Sequence, residues 1–293
     1  MRKRLIIDTD VALGIVQKGR PRDIDDGFAI VEAINSPDIE LLGISCVFGN
    51  APLDLVHQVA AEICSLKNTQ LPVEKGAAKK LRPNQDTNNA VEFLAQQLSN
   101  GPASIAAIGP LTNIALLIKK HPEVIRNIDE LIMVAGRSKD RQFYIGQSGP
   151  VGDFNFECDP EAADLVMSSG INCVLMGFEL TSQVTITQRD LESILIHQSE
   201  ASNYFYKNSL AWLKYWTQTF SEDEGFHPWD SATIAWLINP DLFITEKRGH
   251  KIKSDPSQLE CDKLYPGPKH TFCYGFSDSA KKLFIDTILK EIY

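Results

Sequence analysis

The chain has 293 residues, 43% hydrophobic and 23% charged, with a formal net charge of −9. That is the composition of an ordinary soluble globular protein, long enough for a large core in one domain or two. With no basic stripe to offset the acid excess, the charge argues against a nucleic-acid partner, though not against a nucleoside, which has no phosphate. The apolar stretch of the basic start, residues 5–7, is too short for a signal-peptide core, and no run approaches a membrane span. No membrane partner is expected. Six cysteines, at 46, 64, 158, 173, 261 and 273, show neither C-x-x-C pairing nor zinc spacing. They read as buried free thiols of a cytoplasmic protein.

In chain order, residues 4–8, 39–49, 104–109, 130–136 and 172–178 are short apolar runs that predict buried strands, with a weaker one at 71–76. Between them, residues 26–36, 53–66, 90–98, 111–120 and 160–168 place apolar side chains at helical spacing. Strand–helix–strand alternation implies an α/β fold: a mostly parallel central sheet with helices on both faces. The C-terminal third is more helical. Residues 188–220 are rich in aromatics, 227–239 open a helix, 242–253 and 270–276 suggest a β-pair, and 278–293 close with a helix. With no repeat and no linker, residues 1–293 are expected to form one domain.

Acids gather at one place in this plan. Asp8 and Asp10 end the first strand, and Asp25 and Asp26 begin the next helix, after the basic loop residues 18–22 and Asp23. Both pairs fall at the carboxyl edge of the sheet, where such folds bind ligands. Carboxylates this close are driven toward protonation unless a cation neutralises them, and hard oxygen ligands suit Ca²⁺ or Mg²⁺. Two plainer accounts compete. Asp25 and Asp26 also suit a helix N-terminus. Asp8 followed by Asp10 also suits a Mg²⁺ phosphohydrolase with Asp8 as nucleophile, although Ala12 stands where that pattern wants Thr or Val.

Four further stretches narrow the choice: "VFGN" ending at Asn50, "IAAIGPLTNIALLIKKHPEV" at 105–124, "DFNFECDPEAADLV" at 153–166 and "HPWDSATIAWLINPDLF" at 227–243. With the acidic start, they resemble in order the motifs of the inosine–uridine-preferring nucleoside hydrolases, over nearly the whole chain. The resemblance implies a nucleoside-hydrolase-like fold that cleaves the N-glycosidic bond of ribonucleosides to free base and ribose. It implies one Ca²⁺ at the bottom of the pocket, binding the ribose 2′- and 3′-hydroxyls and the attacking water. Carried over, Asp10, Asp26 and Asp230 are the carboxylate ligands, and Met133, within one residue, gives a backbone carbonyl. Asp10 is also the general base on the metal-bound water, while Asp25 and Asn50 hold the ribose hydroxyls. Asp153, Asn155 and Gln147 belong to the sugar's other edge, and Asp8 orients the ligands from behind. Homodimers or homotetramers are usual in the family.

Four departures stand out. The loop between Asp10 and Asp25 is far longer than the family's three residues, and could reshape the pocket rim or serve an oligomer contact. Asp153 replaces a glutamate, and Gln147 an asparagine. Trp229 replaces the histidine that protonates the leaving base in pyrimidine-accepting members. A tryptophan cannot act as an acid but can stack on a base, which favours a purine nucleoside; otherwise it packs at a helix start. His227 is a candidate replacement acid or a packing residue. Phe205, Trp212, Trp216 and Phe220 form a helical stripe, by default core, from which one member could reach the base. A non-catalytic ribosyl-binding relative remains a further alternative.

Overall fold

The computed structural model describes residues 2–144, 150–254 and 257–293. β1 (Lys3–Thr9) leads through a two-stranded ribbon, β2 (Val16–Gln17) and β3 (Arg20–Pro21), into α1 (Asp25–Asn35). The strand–helix unit then repeats as β4 (Ile39–Cys46), α2 (Leu53–Leu66), β5 (Val73–Lys75), α3 (Asn89–Ser99), β6 (Ala103–Ala107), α4 (Thr112–Lys120) and β7 (Ile128–Val134). β8 (Arg137–Ser138), α5 (Phe154–Cys158), α6 (Pro160–Ser168), β9 (Cys173–Met176) and α7 (Phe178–Thr181) follow. The rest of the chain forms β10 (Ile186–Thr187), α8 (Gln188–Ile194), α9 (Glu200–Thr219), β11 (Gly225–Phe226) and α10 (Ser231–Ile238), then β12 (Phe243–Ser254), β13 (Ser257–Asp262), β14 (His270–Phe276) and α11 (Ala280–Glu291).

Ten strands form one sheet in the order β5-β4-β1-β6-β7-β9-β14-β12-β13-β8. From β5 to β14 every neighbouring pair is parallel. This follows from the sequence: each apolar run is buried on both sides and each crossover is a helix. Along β1 the side chains alternate, with Leu5 and Ile7 in one core cluster and Ile6 in the other. The first cluster packs α1, α2 and the C-terminal helices, the second α3, α4 and α6. The mostly parallel α/β sheet and the helical C-terminal end therefore stand as expected.

Some boundaries moved. The weak strand at 71–76 is the edge strand β5. The run at 39–49 leaves the sheet at Cys46, and its last residues turn toward the ligand edge, where Val47 N–H donates to Thr9 O at 2.9 Å. The expected C-terminal β-pair exists, but β12 has a second antiparallel partner in β13, whose polar letters gave no strand signal. All six cysteines are free thiols; Cys158 is only half-buried, the others fully. Among the described residues, no helix is long and apolar enough to cross a membrane.

Candidate active site

At the carboxyl ends of β6 and β7 and the start of α1 lies a cavity of about 380 Å³. Its floor is acidic. The first turn of α1 presents Asp25 and Asp26, and the residue before α10 presents Asp230. One oxygen from each lies within 4.8 Å of the others, and all three are buried. The Asp230 N–H donates to Asp25 Oδ2 at 3.1 Å, and the Thr9 hydroxyl donates to Asp26. Asp10 stands beside this triple. Its Oδ2 accepts the Asn50 N–H at 2.6 Å, while its buried Oδ1 has no partner among the described residues. Gly49 makes that contact possible, because a Cβ there would lie 1.9 Å from Asp10 Oδ2.

Burial is the largest cause raising these carboxyls, and neighbouring charges add to it at Asp10, Asp26 and Asp230. Asp10 is pushed up to about 7, with Asp25 among the charges responsible. Asp25 is raised, and Asp26 and Asp230 lie well above the ordinary carboxylate range. Asp23, on the cavity rim, is raised by its own burial and by Asp25. Such a set stays ionised only with a cation among it. Buried, oxygen-only and with an unpartnered oxygen at Asp10, the donor set fits a hard divalent ion.

The wall above the acids is aromatic. Trp212 and Trp216 come from α9 and Trp229 from the turn before α10; Phe143 and Phe178 complete it. Trp216 meets Trp229 edge-on, centroids 5.2 Å apart, and His227 stacks on Trp229 at 5.5 Å. Asp223 accepts from Trp216 Nε1 at 2.8 Å and lies 3.4 Å from His227 Nε2. His227 Nδ1 bonds the Val184 carbonyl at 2.7 Å. Both ring nitrogens of His227 are thus engaged away from the cavity, which it does not line. Of the aromatic stripe, Trp212 and Trp216 reach the cavity, whereas Phe205 and Phe220 do not line it.

Other expected site residues are placed differently. Asp153 lines the cavity, but both its oxygens are engaged: Arg137 donates to Oδ1 at 3.0 Å and the Leu259 N–H to Oδ2 at 2.6 Å. Arg137 is 2% exposed, lies 5.6 Å from the Phe178 ring centroid and also donates to the Val151 carbonyl. Asn155 lines the cavity and donates to the Ile108 carbonyl at 3.1 Å. Met133 does not line it. It lies inside the ladder between Ala107 and Leu175, which occupies its backbone. Ile108, one residue past β6, does face the cavity. Asp8 is fully buried outside the cavity wall and raised to about 7 by burial, with Ser45 Oγ at 2.5 Å and Asn113 Nδ2 at 2.8 Å both donating to Oδ1. Gln147 lies outside the described residues. Arg137, Thr9, Ile108 and Asp223 were not picked out from the sequence. A lone Arg directly after a buried strand was the one visible signal among them.

A parallel sheet with clustered carboxylates and an aromatic wall at its strand ends defines an α/β enzyme for a small ligand with an aromatic part. Comparison with known proteins gives the particular family. The model of the "Inosine-uridine preferring nucleoside hydrolase" family matches residues 5–264. A pyrimidine-specific ribonucleoside hydrolase, RihA, of Escherichia coli is 30% identical over 76% of this chain and 79% of its own. A probable uridine nucleosidase of Oryza sativa is 27% identical over 84% and 80%. In structure, the purine-preferring ribonucleoside hydrolase from Gardnerella vaginalis superposes with a TM-score of 0.83 at 21% identity, covering 99% of this chain and 98% of that one. The chain belongs to the inosine-uridine preferring nucleoside hydrolase family. It is a metal-dependent hydrolase of the N-glycosyl bonds of nucleosides.

Proposed function

We propose that this enzyme is a Ca²⁺-dependent hydrolase of purine ribonucleosides that releases free base and ribose. The observation that supports it most is one cavity with Asp25, Asp26 and Asp230 on its floor and Trp216 and Trp229 in its wall. Asp10, Asp26 and Asp230 would hold the ion, with the Ile108 carbonyl in place of the expected Met133. Asp25 belongs to the same cluster and, with Asn50, takes the ribose 2′- and 3′-hydroxyls. A divalent cation, when bound there, neutralises the floor, anchors a vicinal diol and acidifies water.

Asp10 is the general base. The Asn50 amide fixes one oxygen, and the other is free to take a proton from the water that attacks C1′. Breaking the bond builds positive charge on the ribose, which the surrounding carboxylates stabilise. Trp229 stacks on the base, an interaction worth about 1–3 kcal/mol where it has been measured by alanine substitution. His227 is not the acid in this reading, because both its nitrogens are committed. The named relatives divide between pyrimidines and purines, so the purine preference rests on this chain's own Trp229. A phosphohydrolase using Asp8 gains no support, because Ser45 and Asn113 hold Asp8 Oδ1 and Asp8 lies apart from the Asp25, Asp26 and Asp230 cluster. A non-catalytic ribosyl binder draws on one observation, the full engagement of Asp153.

The test is reducing-sugar release from inosine, adenosine, guanosine, uridine and cytidine, with Ca²⁺ and with excess EGTA. Calcium-dependent release confined to purines is expected. Release from uridine as well would discard the specificity argument. No release from any substrate, with calcium still bound, would leave the binding protein as the better reading.

A further inference from the structure

The long insertion between Asp10 and Asp25 forms a structured wall of the cavity. Its tip is a two-residue turn with Lys18 and Gly19 both in the left-handed region, φ 51° and 75°, the geometry that suits a tight ribbon. The ribbon is docked on α9, the helix that supplies Trp212 and Trp216. Gly14 abuts Asn208 so closely that a Cβ would come 2.5 Å from its Oδ1. The Arg20 guanidinium lies 4.9 Å from the Tyr215 ring centroid. Arg20, Pro21, Arg22 and Asp23 then line the same cavity as the tryptophans.

Arg22 is the informative member. Its Nη2 donates to Gln17 Oε1 at 3.3 Å, across the ribbon, and among the described residues no carboxylate pairs with it. Its Nε–H is buried beyond a ligand's reach, but Nη1 has no acceptor among the described residues and is not buried. Arg22 lines the cavity, so its Nη1–Nη2 edge is left to donate to a ligand there, and an acceptor placed on it gains charge-assisted hydrogen bonds. The floor acids claim the sugar, so the part of the ligand that reaches the ribbon beside the tryptophans is the base. A guanidinium edge offers parallel N–H donors, which match the adjacent O6 and N7 acceptors of a 6-oxopurine. Adenine presents an amino donor beside N7 and would set donor against donor. Uracil presents O4 without a neighbouring acceptor.

We infer that the ribbon reads the edge of the base, with Arg22 donating to O6 and N7, and that the enzyme therefore selects 6-oxopurine ribonucleosides. This rests on the hydrolase reading above and adds the residue that sets the base. A good bidentate pair of this kind discriminates by about 5-fold to 150-fold.

The experiment compares kcat/KM for inosine, guanosine, adenosine and uridine in the calcium-loaded wild type and in Arg22→Met. Inosine and guanosine should each exceed adenosine by at least about tenfold, and the inosine-to-adenosine ratio should fall to near unity in R22M. A ratio taken within one preparation is insensitive to partial misfolding. Equal rates in the wild type, or a preference kept in R22M, would overturn the inference. Free hypoxanthine and adenine are also titrated against tryptophan fluorescence of both proteins. Hypoxanthine should bind the wild type more tightly, and R22M should not distinguish the two. If no nucleoside is cleaved, the hydrolase reading fails, while the titration still decides the role of Arg22: equal affinities in the wild type refute it.

Discussion

Two sets of buried motif carboxylates, whose members Asp8 and Asp10 are two residues apart, behave in opposite ways. Asp8 and Asp159 are tied to neighbouring elements by donors: Asp8 accepts from Ser45 and Asn113 at Oδ1, its Oδ2 having no partner among the described residues, and Asp159 accepts from the Leu81 and Ala162 amides and the Thr112 hydroxyl. Asp10, Asp25, Asp26 and Asp230 are surrounded largely by one another. The first arrangement fastens elements together, and the motif residues Asn113 and Asp159 serve it. The second is unfavourable by itself and makes sense only around a cation. A motif carboxylate is therefore sorted by what faces it, not by its burial.

That contrast makes its largest prediction at neighbouring positions. Asp10→Ala should lower kcat by about 10²–10⁴ while leaving the fold intact by circular dichroism; a kcat within tenfold of wild type would place the base elsewhere. Asp8→Ala should do the reverse. It removes two buried hydrogen bonds, from Ser45 and Asn113, each worth about 0.5–1.5 kcal/mol, so urea denaturation should show a loss of about 1–3 kcal/mol, with kcat per folded molecule little changed and no phosphate released from p-nitrophenyl phosphate by either protein. Trp229→Ala should lower kcat/KM for inosine by roughly 5-fold to 150-fold, the measured range for base stacking, and affect p-nitrophenyl riboside less. Equal losses would remove the stacking role.

A subtler test uses pH. Asp8 and Asp10 are held at about 7 in the fold, against about 3.9 for a free Asp. Raised acids retain their protons in the folded state, so their stabilisation is complete below about pH 4 and is lost as pH climbs through about 7. The metal-free protein should melt lower at pH 8 than at pH 5, and Ca²⁺ should raise Tm more at pH 8. A flat profile would mean that burial does not hold Asp8 and Asp10 protonated. The smallest effect is expected at His227. Its ring is tied to Val184 and Asp223, so His227→Gln should leave the pH–rate profile unmoved. Loss of the low-pH limb would restore it as an acid.

Much of this was legible because the parallel strands are continuous apolar runs, and because Asp25 and Asp26 follow a strand end by one loop. What escaped has physical causes. Met133 lies inside β7 and Ile108 one residue past β6, and only the ladder shows that the first is enclosed by neighbouring strands while the second lines the cavity. Arg137 reads as a surface residue, since an arginine is rarely buried without a partner, and the family resemblance assigns that partner, Asp153, to the sugar. The ribbon at Val16–Pro21 has too few residues to show any period. β13 reads as polar because its letters are set by cross-strand pairs with β12.

The bond from the Asp230 amide to the Asp25 carboxylate joins residues 205 positions apart. The floor of the cavity is thus among the most non-local contacts in the molecule, and such contacts form late because a long loop must close first. An ion held by both ends, as proposed, would act as a clasp on that loop in the native chain and would have no site in the unfolded one. Calcium should therefore slow global unfolding more than it speeds refolding, and a nascent chain should acquire its ion only after α10 has been made.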